Sequence, residues 1–165
     1  SETAQVATQA ALTGHLVLST LHTNDAPGAI TRLLDLGVPA YLVAGTVEAV
    51  LAQRLVRVLC PGCRRAIAVD ATTRARFGDA PTPDTVYEAA GCPQCRHTGY
   101  RGRQGIFELL VLDDALRALT HDHAGTDRIR AAARAAGMRT LRDDAMRLVA
   151  EGVTTLDEAL RVAPG

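Results

Sequence analysis

Four cysteines in two matched pairs are the residues with the clearest chemistry. The segments CPGC and CPQC, residues 60–63 and 92–95, contain every cysteine of the chain. A C-x-x-C turn supplies two thiolates from one tight loop, and two such turns complete a tetrahedral zinc site. The pattern therefore predicts a structural zinc ion with no open coordination position, bound by Cys60, Cys63, Cys92 and Cys95.

Two other uses of these cysteines fit less well. Disulfides form in oxidising compartments, whereas the polar opening segment SETAQVATQAALTGH does not resemble a signal peptide. A redox C-x-x-C motif suits either pair alone, but two matched pairs favour a metal.

Residues 60–100 also hold four of the seven prolines, so we expect a zinc-folded insert. The basic residues beside the two turns form either a solvated rim or a docking surface: Arg64, Arg65, Arg96 and His97.

Two histidines bracket a second candidate segment. The apolar run HLVLSTL, residues 15–21, lacks strict alternation, which predicts a strand buried on both faces of a parallel sheet. His15 and His22 are seven residues apart and would point to opposite faces of that strand, so we do not expect a shared metal. Ligands of open α/β sheets bind at the carboxyl ends of strands, which places His22 near a ligand such as a terminal phosphate. The alternative is an ordinary packing role.

Composition excludes several classes of function. All 18 basic residues are arginine, so the chain contains neither a P-loop lysine nor a Schiff-base lysine. The 18 basic and 18 acidic residues cancel, and only five residues are aromatic. This balance disfavours nucleic-acid binding. The longest apolar run, residues 38–47, is too short for a membrane span. We therefore expect a soluble, cytosolic protein.

The pattern along the chain alternates helices and strands. A helix that begins at Thr23 or Asn24 is expected to end near Leu36, and a second is expected to run from Pro39 with an apolar face reaching Leu51. Thr155 with Glu158 predicts a capping box. The remaining predicted helices are 2–13, 114–121, 126–136, 141–151 and 155–162, and the strands are 54–59 and 103–113.

Four segments together resemble one family of motor proteins. They are ETAQVATQAALTGHLVLSTLHTNDAPGAITRLLDLGV, LAQRLVRVLCPGC, CPQCRHTGYRGRQGIFELL and GMRTLRDDAMRLVAEGVTTLDEALRV. Their sequence and order are similar to those of the secretion and pilus-assembly ATPases, namely the type II secretion ATPase (general secretion pathway protein E) and its type IV pilus relatives. The resemblance covers essentially the whole chain, and several independent segments carry it.

The resemblance implies an α/β fold. It comprises the distal part of a RecA-like P-loop ATPase domain (1–59 and 101–113), a tetracysteine zinc insert (60–100) and a helical C-terminal domain (114–165). The parent protein is expected to be a homo-hexamer that binds ATP and Mg²⁺ at subunit interfaces. It would couple ATP hydrolysis to type II secretion or type IV pilus assembly, acting on platform proteins of the bacterial inner membrane. The zinc insert implies the secretion or pilus-extension branch.

The same resemblance assigns roles to individual residues. The segment around His15 and His22 corresponds to the family's His box, where His22 is expected to sense the γ-phosphate or act at the catalytic site and His15 to support it. The other expected nucleotide-site residues are Thr20, Thr23, Arg54 and Arg103.

The match also has a gap. The family's P-loop, acidic box and Walker B motif precede the His box, and none occurs in this sequence. We therefore expect a C-terminal fragment of a longer ATPase that is inactive alone. A zinc-scaffolded protein-interaction module without a catalytic role is the alternative.

Overall fold

A computed structural model describes residues 2–164, which form helices and strands in mixed order. The helices are α1 (Glu2–Leu12), α2 (Ala26–Asp35), α3 (Ala40–Thr46), α4 (Ala71–Phe77), α5 (Asp114–His121), α6 (Thr126–Ala135), α7 (Leu141–Ala150) and α8 (Leu156–Val162). The strands are β1 (Ala49–Leu59), β2 (Arg64–Ala68), β3 (Thr85–Ala89) and β4 (Tyr100–Val111). None of these helices combines the length and the apolar character that a membrane span requires.

The strands form two ribbons. β1 pairs with β4, and β2 pairs with β3 in antiparallel register from Arg64 opposite Ala89 to Ala68 opposite Thr85. Along the second half of β4 the burial alternates, so that Ile106 and Leu110 are buried while Phe107 is exposed. This period of two is the signature of a strand with one covered face.

The described residues divide into two compact units. The first comprises 2–52 and 108–139, and the second comprises 53–107 and 140–164. The first unit has a core of aliphatic side chains from its helices and from β4, including Ile30, Val43, Leu110, Leu116 and Ile129. The second buries Val56, Phe77, Ile106, Leu148 and Val149. The units cut across the predicted 114–165 domain, because α5 and α6 belong to the first and α7 and α8 to the second.

The prediction of a strand over residues 15–21 is wrong. The segment has no regular secondary structure, and Leu16 and Leu18 are 89% and 87% exposed. Within residues 2–164 both sheets have two strands and neither includes this segment. A strand buried on both faces needs neighbouring strands to satisfy its backbone and layers to cover it. The described residues supply neither at this segment, so the predicted parallel sheet is not formed.

Two predicted helix boundaries are also corrected. The cap of α2 is Asp25, not Thr23 or Asn24, because the carboxylate of Asp25 accepts a 2.8 Å hydrogen bond from the Gly28 amide. The helix that follows Pro39 ends at Thr46, so its predicted apolar face stops short of Leu51, which lies on β1. Residues from Ala49 onward form a strand instead, because pairing of β1 with β4 satisfies their backbone hydrogen bonds.

The helices of the C-terminal segment are confirmed. α5, α6, α7 and α8 lie within one residue of the predicted bounds, and each begins at a clear cap or an acidic first turn. The predicted strands 54–59 and 103–113 are found as well: 54–59 lies within the longer β1, and β4 begins three residues before 103 and ends two residues before 113. Helical and strand periodicity were sufficient at these places because the elements pack within the described chain.

Candidate metal centre and histidine segment

The two cysteine turns are positioned by the β2–β3 ribbon. The first turn lies between β1 and β2, and the second follows β3 as a short 3₁₀ helix over Pro93–Cys95. Because Arg64 at the start of β2 pairs with Ala89 at the end of β3, the ribbon brings the two turns together at one end. Each turn is closed by its own backbone, with the Cys63 amide on the Cys60 carbonyl at 3.2 Å and the Cys95 amide on the Cys92 carbonyl at 3.1 Å.

The four sulfur atoms have the spacing of a zinc tetrahedron. All four Sγ atoms lie within 4.8 Å of one another. The Cys60–Cys92, Cys63–Cys95 and Cys92–Cys95 separations are 3.9, 3.8 and 3.8 Å. Zinc–thiolate bonds of 2.3 Å in tetrahedral geometry place sulfur atoms about 3.8 Å apart. Disulfide bonds are absent from all four cysteines, which are free thiols here, so the donor set and its spacing fit a Zn²⁺ ion.

Backbone amides prepare one sulfur for the charge of a thiolate. Burial of Cys95 opposes ionisation, but the amides of Cys92 and Gly99 each donate to its Sγ at 3.2 Å and bring its pKa down to about 6. Burial raises the pKa of Cys63 to about 12. A dication would draw the protons from such thiols, because the metal ligand is the thiolate.

A glycine allows the second turn to pack against β3. Gly99 has φ +76°, and a Cβ there would lie 2.5 Å from the Cβ of Ala89. Residues 96 and 97 also have positive φ, which turns the chain sharply after Cys95. In the sequence, this sharp turn is indicated only by the tripeptide His-Thr-Gly shortly after the second cysteine pair. The close approach explains why glycine stands at this position.

The basic residues beside the cysteine turns lie at the surface, and one of them also contacts the α7–α8 turn. Arg64 donates a 2.7 Å hydrogen bond to the Gly152 carbonyl, and its guanidinium carbon lies 4.7 Å from the centre of the Tyr87 ring. Arg65, Arg96 and His97 are exposed. All four predicted rim residues are therefore exposed, and Arg64 in addition holds the α7–α8 turn.

A buried carboxylate in the same unit was not foreseen as a charged centre. The predicted capping box is half formed, because the Thr155 hydroxyl accepts from the Glu158 amide at 3.1 Å. The Glu158 side chain, however, is fully buried and binds Arg57 and Arg161, each at 2.7 Å. Burial opposes its ionisation, but the hydrogen bonds from Arg161 and Arg57 outweigh burial and hold the pKa of Glu158 at about 2.

A second buried carboxylate, in the first unit, was also missed. Glu108 lies on the covered face of β4 between Ile106 and Leu110, and it accepts a 2.7 Å hydrogen bond from the Ala26 amide at the start of α2. A carboxylate at a helix N-terminus satisfies an otherwise unpaired amide and complements the helix dipole. The sequence signal for this buried carboxylate was an acidic residue at an inward-facing position of a strand in which buried and exposed residues alternate.

The predicted nucleotide-site residues are divided between the two units. His15, Thr20, His22 and Thr23 belong to the first unit, where Thr23 is half-buried and the others are exposed. His15 Nδ1 lies 2.9 Å from the Thr13 hydroxyl, and the Thr23 hydroxyl donates to the Asp25 carbonyl. The two arginines of the set belong to the second unit, where both are exposed on strands: Arg54 on β1 and Arg103 on β4. Their roles at a nucleotide stay predictions.

Sequence comparison finds relatives along nearly the whole chain. The family model described as type II/IV secretion system protein matches residues 1–161. The chain is 52% identical to type II secretion system protein E of Pseudomonas aeruginosa and 50% identical to type II secretion system ATPase E of Vibrio cholerae. Each match covers 98% of this chain and 32% of the relative. Type IV pilus assembly ATPase TfpB of Acinetobacter baylyi is 48% identical over 99% of this chain and 28% of its own length.

Comparison of structures gives the same fold. A crystal structure of the pilus retraction motor PilT with bound ADP superposes with a TM-score of 0.65 at 23% identity, covering 99% of this chain and 37% of that one. At this identity the likeness establishes the mixed α/β fold. The chain spans about a third of the length of the curated relatives it matches.

Proposed function

We propose, since this chain belongs to the type II/IV secretion system protein family, that it is the zinc-bearing C-terminal part of a traffic ATPase. The observation that carries the proposal is about 50% identity, over nearly the whole chain, to proteins named as a type II secretion ATPase and a type IV pilus assembly ATPase. The full-length protein would couple ATP hydrolysis to protein secretion or to pilus assembly.

Hydrolysis is assigned to the full-length protein and not to these 165 residues. The sequence has no lysine, and a P-loop requires one to hold the β- and γ-phosphates. The relatives are about three times as long as this chain. Phosphoryl transfer depends on groups that position and neutralise the γ-phosphate, so this part alone is expected to be inactive.

The part contributes a structural zinc centre and residues that respond to nucleotide. The cysteine cluster holds four sulfur donors at zinc spacing, and the ion would fold an insert too small for a core of its own. His22 is the proposed γ-phosphate sensor, with His15 in support. Thr20, Thr23, Arg54 and Arg103 are proposed to lie at the nucleotide.

The family relationship extends the proposal to assembly and location. We propose a homo-hexamer of the full-length protein with nucleotide at its subunit interfaces, peripheral to the bacterial inner membrane and acting on platform proteins of the secretion or pilus system.

The test of the sensor role is a single substitution in the full-length protein. His22→Ala is expected to reduce the ATPase rate at least about tenfold while leaving the circular dichroism spectrum and oligomeric state unchanged. His121→Ala is the matched control, because this histidine is also exposed but lies on α5, away from the His box. Wild-type turnover in His22→Ala would remove the assignment.

A docking role for the zinc insert is the second candidate, favoured by the exposed basic rim. Arg65, Arg96 and His97 are exposed beside the cysteine turns. The double variant Arg65→Gln/Arg96→Gln should keep zinc and ATPase activity. A loss of secretion or pilus assembly in this variant would favour docking, whereas normal assembly would leave the rim as a solvated surface.

A further inference from the structure

The strands that lead into and out of the metal centre are both attached to α8. Arg57 lies on β1 three residues before Cys60, and its guanidinium binds the Glu158 carboxylate at 2.7 Å. The backbone amide of Arg57 donates to the same carboxylate at 3.1 Å. The Thr154 hydroxyl donates to the Arg57 carbonyl at 2.8 Å, so one residue of β1 is held at its side chain, amide and carbonyl.

The strand that leaves the second cysteine turn is held at the same place. Tyr100 begins β4 five residues after Cys95, and its hydroxyl lies 2.8 Å from the hydroxyl of Thr155, the cap of α8. The guanidinium carbon of Arg57 lies 4.0 Å from the centre of the Tyr100 ring. A cation at this distance from an aromatic face is attracted to it, so Tyr100 supports the residue that binds Glu158.

Further contacts join the first cysteine turn to the turn between α7 and α8. The amide of Leu59, which immediately precedes Cys60, donates to the Val153 carbonyl at 2.8 Å. Arg64, which immediately follows Cys63, donates to the Gly152 carbonyl at 2.7 Å. The first cysteine turn is therefore enclosed by contacts to residues 152–158 on both sides.

The ion pairs of Glu158 with Arg57 and Arg161 affect stability because the Glu158 carboxylate is buried. Exposed ion pairs contribute little, and Arg57 and Arg161 are about half exposed. The Glu158 side chain, in contrast, is 0% exposed. A buried carboxylate is costly unless every partner stays in place, and Arg57 is a partner only while β1 keeps its path into the metal centre.

We propose that the metal centre and the helix pair of residues 140–164 are thermodynamically coupled, with Glu158 as the positioning residue that links them. The proposal rests on the proposed zinc site. Zinc binding fixes the ends of β1 and β4, and these present Arg57 and Tyr100 to α8. Coupling of this kind is reciprocal, so a weakened α8 contact lowers zinc affinity as well.

The test compares zinc affinity and amide hydrogen exchange in the zinc-loaded chain. Zinc content is first measured by elemental analysis, and affinity is then measured by competition with a chromophoric chelator. Glu158→Gln is expected to weaken zinc binding about tenfold, within the usual range for coupled sites. Glu151→Gln is the matched control, because this residue pairs with Arg147 on the exposed side of α7. Removal of zinc should increase exchange in 140–164 about tenfold more than in α2 and α5.

Each outcome separates the coupling from the metal site itself. A chain that binds no zinc would overturn the metal site and, with it, this proposal. Zinc bound equally well by wild type and Glu158→Gln, or exchange in 140–164 that does not change on zinc removal, would overturn the coupling and leave the metal site intact. If Glu158→Gln does not fold, Tyr100→Phe decides the matter: it loses one hydroxyl contact and should weaken zinc binding severalfold, and an unchanged affinity would refute the coupling.

Discussion

Glu158 should make the stability of the second unit depend on pH in the acid range. Its pKa is lowered from 4.5 to about 2 in the folded chain. Above pH 4.5 the carboxylate is ionised in both the folded and unfolded states, and its stabilising contribution is complete. As the pH falls from 4.5 to 2, the unfolded state binds the proton first and the contribution is lost.

The magnitude follows from the size of the pKa shift. About 2.5 pKa units at 1.36 kcal/mol per unit correspond to roughly 3 kcal/mol. The two arginine partners are about half exposed, so solvent screening reduces the expected contribution to about 2 kcal/mol. Glu158→Gln should therefore lower the free energy of unfolding by about 2 kcal/mol at pH 7.

The assay is urea unfolding, followed by circular dichroism, of wild type and variant at pH values between 7 and 2. Acid would also protonate the thiolates of the proposed zinc site, so the informative quantity is the difference between the two proteins at each pH. That difference should shrink as the pH falls from 4.5 to 2. Glu151→Gln should follow the wild-type curve. A difference that is constant from pH 7 to 2.5, or absent at pH 7, would refute the reasoning.

Two further pairs of substitutions, one pair in each unit, test the local structure against a matched control. Asp25→Ala removes the side-chain cap of α2 and should lower the free energy of unfolding, measured by chemical denaturation, by about 1–2 kcal/mol. The control Asp127→Ala alters an exposed side chain and should change this free energy by less than about 0.5 kcal/mol. Gly99→Ala adds a Cβ at a position that has a positive φ and would place this atom 2.5 Å from the Ala89 Cβ, so it should lower the free energy of unfolding by about 3 kcal/mol and weaken zinc binding. Gly102 also has a positive φ but faces open space, so Gly102→Ala should lower the free energy of unfolding by about 1 kcal/mol. Equal costs at Gly99 and Gly102 would contradict the close packing against β3.

Most of the features that the sequence predicted correctly could be recognised from short segments of the chain. The cysteine site followed from two identical spacings, and α5–α8 followed from helical periodicity with caps such as Thr155. In these cases the chemistry of a short segment determines the local structure. The β2–β3 register then brings the two turns together, and backbone hydrogen bonds within each turn fix its shape.

The features that the sequence did not predict depend on residues far apart in the chain. Residues 15–21 have strand composition but no strand beside them among the described residues. Glu158 matched a capping motif at position three of α8, and its side chain instead binds Arg57, about a hundred residues earlier. A local pattern identifies the backbone role of such a residue, while the partner of its charge is set by tertiary packing.

The most direct test of the proposed function is ATP hydrolysis by the full-length protein and by these 165 residues, each loaded with zinc and measured by phosphate release. We expect ATP-dependent phosphate release from the full-length protein and none above background from the 165-residue chain. If the 165-residue chain hydrolysed ATP as fast as the full-length protein, the assignment of hydrolysis to groups outside these 165 residues would be contradicted. A folded, zinc-loaded full-length protein that releases no phosphate would contradict the ATPase function itself.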